Sequence, residues 1–246
     1  MSYSFDSHIR FSETKEDEKL SYTSIVNYFQ DCSNFQSKLL GLGADRLEAK
    51  GRAWVLLGWQ IEINRRPEVG EKVKITTWPY GFKGFYGSRN YTMDTDQGER
   101  LAYANSIWVY LDAVNQVPTK IDEEELNGYK LEDKLDMQYA SRKIHAPSEY
   151  KERAAFVVKQ TNLDVYHHVN NGQYIAMAES YLPGYFEVGQ LRVEYRKQAT
   201  LGKKIIPLVS EVADKVTVSL CDEGKEPYAV VEFSARPYSR RRESHD

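Results

Sequence analysis

The sequence predicts an α+β fold made of two tandem repeats, each a single helix wrapped by a curved antiparallel sheet. Three observations predict it. Two stretches of the chain overlay on two later ones, each half opens with a largely apolar helical pattern, and each half then runs as three long β segments.

The first helix opens at Leu20 and carries Ile25, Val26, Tyr28, Phe29, Cys32, Phe35 and Leu39. Its counterpart lies within Tyr166 to Ser180 and carries Tyr174, Ile175, Met177, Ala178 and, just beyond, Tyr181. A helix apolar around much of its surface is usually buried. Matching Tyr174 to Tyr28 sets Asp164 on Glu18 and His168 on Tyr22, so the first half lacks the imidazole. Further on, Ile61 to Val73 matches Val193 to Ile205; both end a strand, turn through a glycine (Gly70, Gly202) and enter another strand.

Strands are expected at Glu71–Pro79, Gly87–Thr95 and Arg100–Asp112, with a turn at Asp96-Gln97-Gly98 and a wide bend marked by Gly81, Gly84 and Gly87. The second set is Lys203–Ala213, Lys215–Cys221 and Pro227–Tyr238, with a turn at Asp222-Glu223-Gly224. A buried helix wrapped by curved antiparallel sheet is the hot-dog arrangement, and two in one chain make a double hot-dog, a built-in pseudo-dimer. The expected division is residues 1–125, a charged linker at 126–148 within the tether Ile121 to Tyr150, and residues 149–246.

The bulk numbers exclude several classes. With 41% hydrophobic residues over 246 positions, the chain can bury a sizeable core. A net charge of −3 argues against a general nucleic-acid binder, and Arg240-Arg241-Arg242 reads as a solvated terminus. The longest apolar run, Ala53 to Trp59, is strand-sized, so no membrane span is expected. Cys32 and Cys221 have no metal-ligand spacing; Cys32 reads as a small core residue, and a cytoplasmic protein with free thiols is expected. His8, His145 and His245 are scattered, so neither a metal nor another cofactor is expected.

The densest chemistry lies in Thr161 to Tyr174. Asp164 and His168 stand four residues apart just ahead of a helix start. A carboxylate can orient an imidazole, and the helix N-terminus at Asn170, Asn171 and Gly172 offers backbone N–H groups to a developing negative charge. Asn171 reads mostly as a cap, Asn162 as a turn former, His167 as solvent-facing and Glu179 as a buried polar partner within the helix.

These residues resemble a known family, the acyl-acyl carrier protein thioesterases of bacteria and plants, over nearly the whole chain. The first-half markers are Arg52-Ala53-Trp54-Val55, Ile63-Asn64-Arg65-Arg66-Pro67, Gly70, Thr77-Trp78, Gly98-Glu99 and Ser106-Ile107-Trp108-Val109. The second-half markers are Leu163-Asp164-Val165, His168-Val169-Asn170-Asn171, Tyr174 and Val193-Glu194-Tyr195-Arg196-Lys197. The resemblance implies hydrolysis of the thioester between a fatty acyl chain and acyl carrier protein, with Asp164 and His168 matching the family's catalytic pair. Two departures matter: Tyr166 stands where the family often has Asn, and Gln198-Ala199 where it often has Glu-Cys.

Ala199 cannot act as a nucleophile, so the expected route is direct water attack with His168 as general base. Gln198 could hold the water or the thioester but cannot take a proton, and Tyr166 could donate a hydrogen bond where Asn did. Tyr28, Phe29, Cys32, Trp54 and Leu56 are candidates for lining an acyl tunnel. Arg65, Arg66, Lys197, Lys203 and Lys204 are candidates for docking an acidic carrier protein. The alternatives are an enzyme acting on coenzyme A thioesters and a non-catalytic acyl- or carrier-binding protein; the reading also admits a homodimer.

Overall fold

The computed structural model describes residues 1–145 and 147–236. The Arg240–Arg242 tail, His245 and the end of the last expected strand at Tyr238 lie outside them.

The first half contains β1 (Tyr3–His8), α1 (Tyr22–Leu39), α2 (Ala44–Ala49), β2 (Arg52–Ile63), β3 (Lys72–Lys83), β4 (Tyr86–Thr95), β5 (Arg100–Asp112), β6 (Val117–Pro118) and α3 (Glu123–Gly128). The second contains β7 (Lys151–Glu152), β8 (Phe156–Val157), α4 (Asn171–Glu179), β9 (Val188–Tyr195), β10 (Lys204–Val212), β11 (Lys215–Cys221) and β12 (Pro227–Ala235). All the strands join one antiparallel sheet whose central path is β1-β3-β4-β5-β2-β9-β12-β11-β10-β7. The order reads the same from either end once β3 is equated with β10, β4 with β11, β5 with β12 and β2 with β9. The halves meet at β2 and β9, paired from Gly58 with Glu194 to Glu62 with Gln190.

One core runs through both halves. Phe29 and Ile25 of α1, Tyr174 and Ile175 of α4, and Trp59, Ile61, Leu191, Val193 and Phe233 from the sheet all belong to it. The two helices also touch each other. Gly172 is set by that approach: a Cβ on it would stand 2.6 Å from Asn27 Oδ1 of α1.

The structure corrects four expectations. The helix N-caps are Ser21 and Asn170, so the two helix starts align three residues away from the Tyr28–Tyr174 match. Asp164 then corresponds to Lys15 and His168 to Lys19; the conclusion that the first half lacks the imidazole is unaffected. Phe35 and Leu39 are 45% and 74% exposed, because Ser33 and Gln36 occupy the buried face of that last stretch of α1. The glycine bend is a tight turn: Gly81 and Gly87 lie within paired β3 and β4, and Gly84 alone takes the left-handed conformation there, at φ +64°.

The tether is fastened as well as charged. It contains α3, and Glu125 of α3 is buried where it accepts the Trp54 indole N–H. Beyond it, Glu132 N–H donates to Pro79 C=O, Leu135 N–H to Asn90, Ala140 N–H to Gln60 and Ile144 N–H to Glu194. The segment therefore crosses β3, β4, β2 and β9, and the buried polar side chains Gln60, Asn90 and Glu194 satisfy its backbone.

Candidate active site

The loop ahead of α4 is a tight hairpin closed by a bridge between Leu163 and Val169. Asp164 N–H donates to His168 C=O at 2.8 Å, and His167 N–H returns to Asp164 C=O at 3.1 Å. His167 takes a left-handed φ of +62° to close the turn and is exposed, as the sequence suggested. Asp164 Oδ1 accepts from the backbone N–H of Tyr166 at 2.9 Å and of His168 at 3.1 Å. Among the described residues no ion pair or hydrogen bond joins this carboxylate to the His168 imidazole; it holds His168 through its backbone instead.

His168 is half-buried and bridges to Thr200, while Val169 N–H donates to Ala199 C=O, so the strand turn before β10 supports the loop. Ala199 is fully buried, with its N–H donating to the Tyr174 hydroxyl at 3.0 Å. Gln198 is exposed on the same turn. Tyr166 is 54% exposed at the loop tip.

The helix start separates the three N-terminal candidates. Asn170 is the cap: its side chain accepts Gly172 N–H at 2.8 Å and its C=O accepts Gln173 N–H. Asn171 is therefore not the cap; its side-chain amide donates to Gln30 of α1 at 3.1 Å, and its C=O accepts the Tyr195 hydroxyl. Gly172 N–H is already spent on the cap, whereas Asn171 N–H has no partner among the described residues. Of the three, Asn171 is the one free to bind an oxyanion.

Beside the loop lies a cleft of about 350 Å³ lined by Asn27, Gln30 and Asp31 of α1 and by Thr161, Asn162, Leu163, Asn170 and Gln173. The sequence reading missed the α1 residues. The only signal was the spacing of three polar residues at 27, 30 and 31, which puts them on one shared face of α1. Asn162 does shape the turn, accepting Lys159 N–H and donating to Gln173.

The tunnel candidates divide. Phe29 packs on Trp59 and Tyr91 in the main core, and Leu56 and Cys32 belong to the same core. The Tyr28 hydroxyl is tied to Glu13 and Ser7 beneath β1. Trp54 belongs to a separate cluster with Leu47, Phe82, Tyr110 and Ile121. Burial pushes the Cys32 thiol up to about 12 and the Cys221 thiol up to about 11, so neither is a ready thiolate.

The docking candidates form two groups, because β2 and β9 run antiparallel. Arg65 and Arg66 follow one end of the paired strands and Lys197 the other, roughly 30 Å apart at ~3.3 Å per residue. Arg65 is held by Glu71 and Glu99, Arg66 by Asp17, Lys197 by Asp222 and Lys204 by Glu223. Lys203 is exposed. Glu179 pairs with Lys15 across the halves at 3.5 Å, and burial raises its carboxyl. No group of three metal-ligating side chains gathers among the described residues, and no helix there is long and apolar enough to cross a membrane.

Comparison with known proteins agrees with this architecture. The chain is 28% identical over 209 residues to the chloroplastic palmitoyl-acyl carrier protein thioesterase of Arabidopsis thaliana, which covers 77% of this chain. It is 30% identical over 209 residues to a chloroplastic acyl-[acyl-carrier-protein] hydrolase of Cuphea viscosissima, with the same 77% coverage. The chain spans about half the length of these curated relatives, 50% of each. A crystal structure of an acyl-ACP thioesterase from Bacteroides thetaiotaomicron superposes with a TM-score of 0.88 at 18% identity, covering 96% of this chain and 98% of that one. The 12:0-ACP thioesterase of Umbellularia californica superposes at 0.82 with 18% identity, covering 96% and 97%. At that identity the superpositions establish the fold alone, a double hot-dog. The acyl-ACP thioesterase N-terminal domain model matches residues 1–129 and the C-terminal domain model residues 145–226, so the chain belongs to the acyl-ACP thioesterase family.

Proposed function

We propose that the protein hydrolyses the thioester of a fatty acyl chain on acyl carrier protein, with the chemistry confined to the second half. One observation carries the reading: the hairpin closed by Asp164 ends with His168 two residues ahead of the Asn170 cap, at a helix start whose Asn171 N–H is unspent. The activities for which the relatives are named support the same substrate class.

The steps follow from the parts. His168 takes a proton from water as its oxygen attacks the thioester carbonyl. The tetrahedral oxyanion accepts the Asn171 N–H, a contribution of about 3 kcal/mol for a well-placed donor. Collapse breaks the carbon–sulfur bond, and the imidazolium returns its proton to the departing thiolate, leaving free acid and thiol. Asp164 holds the loop, so His168 stays where the water must be. Neither cysteine takes part, consistent with their raised thiols.

The test is thiol release from acyl-carrier protein by the purified chain and its His168→Ala variant. Wild-type turnover that the variant loses supports the reading. Tight acyl-carrier binding without turnover in either protein would make this a binding module.

A further inference from the structure

We propose that the polar cleft between α1 and α4 is the seat of the substrate's pantetheine-type arm, built largely from the half that lacks the catalytic pair. The inference rests on the thioesterase reading above and adds the path of the leaving group.

A thioester has two branches. The acyl branch is apolar and calls for apolar surface of the kind that Phe29 of α1 and Leu56 of β2 supply. The thiol branch of a carrier substrate is a neutral rod with two amides and a hydroxyl, and it needs a groove of hydrogen-bonding groups that carries little charge. The cleft matches that need. Five of its eight lining residues are Asn or Gln and one is Thr. Its single ionisable group is the Asp31 carboxylate, an acceptor for amide N–H or hydroxyl and a poor neighbour for phosphate.

The cleft's hydrogen-bonding capacity is largely unspent. Gln30 accepts from Asn171 through Oε1, Asn170 accepts from Gly172 through Oδ1, and Gln173 accepts from Asn162 through Oε1. Their amide NH₂ groups donate to nothing among the described residues. Asn27 and Asp31, one turn apart on α1, make no side-chain hydrogen bond or ion pair there. The cleft adjoins the proposed reacting centre: Leu163 in its lining precedes Asp164, and Gln30 accepts from the side chain of Asn171, the residue with the unspent N–H. Its volume of about 350 Å³ falls at the small end of ligand sites, suited to a narrow arm.

The experiment presents one acyl group on four thiols: acyl carrier protein, coenzyme A, pantetheine and N-acetylcysteamine, which lacks most of the arm. The variant is Asn27→Ala/Asp31→Ala, chosen because neither side chain is bonded within the fold; thermal unfolding confirms that it folds. We expect kcat/KM to fall about tenfold more on the three full-arm thioesters than on N-acetylcysteamine, the scale of one or two lost hydrogen bonds. The wild-type ratio between carrier protein and coenzyme A identifies which source supplies the arm. An equal loss on all four, or none, overturns the cleft assignment. His168→Ala on the same panel tests the underlying reading separately: if it stays active that reading fails, whereas an inactive His168→Ala with a uniform Asn27/Asp31 response fails the cleft alone.

Discussion

The loop Leu163–Val169 and its first-half counterpart Thr14–Leu20 have nearly the same backbone and opposite chemistry. Each is closed by a bridge, Leu163 to Val169 and Thr14 to Leu20. Each has a reciprocal pair of backbone bonds, with Lys15 N–H to Lys19 C=O in the first half matching Asp164 N–H to His168 C=O. Each has one left-handed residue, Glu18 at φ +59° and His167 at φ +62°. Even the outer bridges match, Lys19 to Glu68 and His168 to Thr200. Where one loop carries carboxylate and imidazole, the other carries two lysines, with Arg66 pairing Asp17 beneath them. The hairpin is therefore a structural device for entering a buried helix, and the proposed catalysis belongs to the side chains placed on it.

The sharpest way to break this comparison is to exchange its imidazole. His168→Ala should lower turnover by at least about 100-fold, the range for a lost general base, while Lys19→Ala at the matching position changes nothing. Steady-state thiol release on both variants decides it, and equal losses would mean that both loops act.

Asp164 comes next, because it does two things the comparison separates. Its carboxylate accepts two backbone N–H groups, whereas in the first half Asp17 accepts only one, from Lys19 at 3.2 Å. Asp164→Ala should cost about 1 kcal/mol of stability by removing those two bonds, along with most of the activity. Asp164→Asn keeps an acceptor, so its unfolding midpoint should stay near wild type. Any activity it loses then belongs to the charge rather than to the loop.

Gly172→Ala tests the seam between the halves. The new methyl would meet Asn27 Oδ1, the end of an exposed side chain that can turn away, and alanine's better helix propensity offsets the contact, so stability should change by under about 1 kcal/mol. Because Asn27 lines the cleft and Asn171 adjoins the substitution, activity should fall while stability holds.

Thiol chemistry should do little. At pH 8 a thiol at about 12 is ionised to about one part in ten thousand, and one at about 11 to about one part in a thousand. Alkylating reagents should leave activity intact, and labelling should not rise through pH 8.5 as it does for an ordinary cysteine. Rapid inactivation at that pH would return a cysteine to the mechanism.

Much of this was legible in the sequence, because short-range spacing wrote it there. The loop, its helix start and the second repeat match at Gly70 and Gly202 depend on neighbours a few residues apart; both glycines have φ near +80° (+80° and +77°), which glycine alone tolerates freely. The helix register slipped by three because a Tyr-to-Tyr match outweighed the caps, though it is Ser21 and Asn170 that fix where each helix begins. The cleft was barely legible, through the polar positions 27, 30 and 31 alone. Its walls come from residues more than a hundred positions apart, and only packing α1 against α4 puts Gln30 beside Asn171. The surroundings of the basic candidates were hidden for the same reason: the acidic partners of Arg65 and Lys197 are supplied by other strands and turns.

The smallest expected effect sharpens the comparison most cleanly. A left-handed non-glycine residue is strained by about 1–2 kcal/mol, and glycine removes that strain while adding about 0.5–1 kcal/mol of unfolded-state freedom. Glu18→Gly and His167→Gly should therefore each stabilise the chain by under about 1 kcal/mol. They lie in separate loops, so the gains should add in the double variant, read from the urea midpoint at constant slope. Neither should change turnover, since His167 points to solvent and Glu18 belongs to the half without the imidazole. If His167→Gly lost activity while Glu18→Gly did not, the strained turn would itself be holding His168 in place, and the two hairpins would differ in backbone function as well as in side chains.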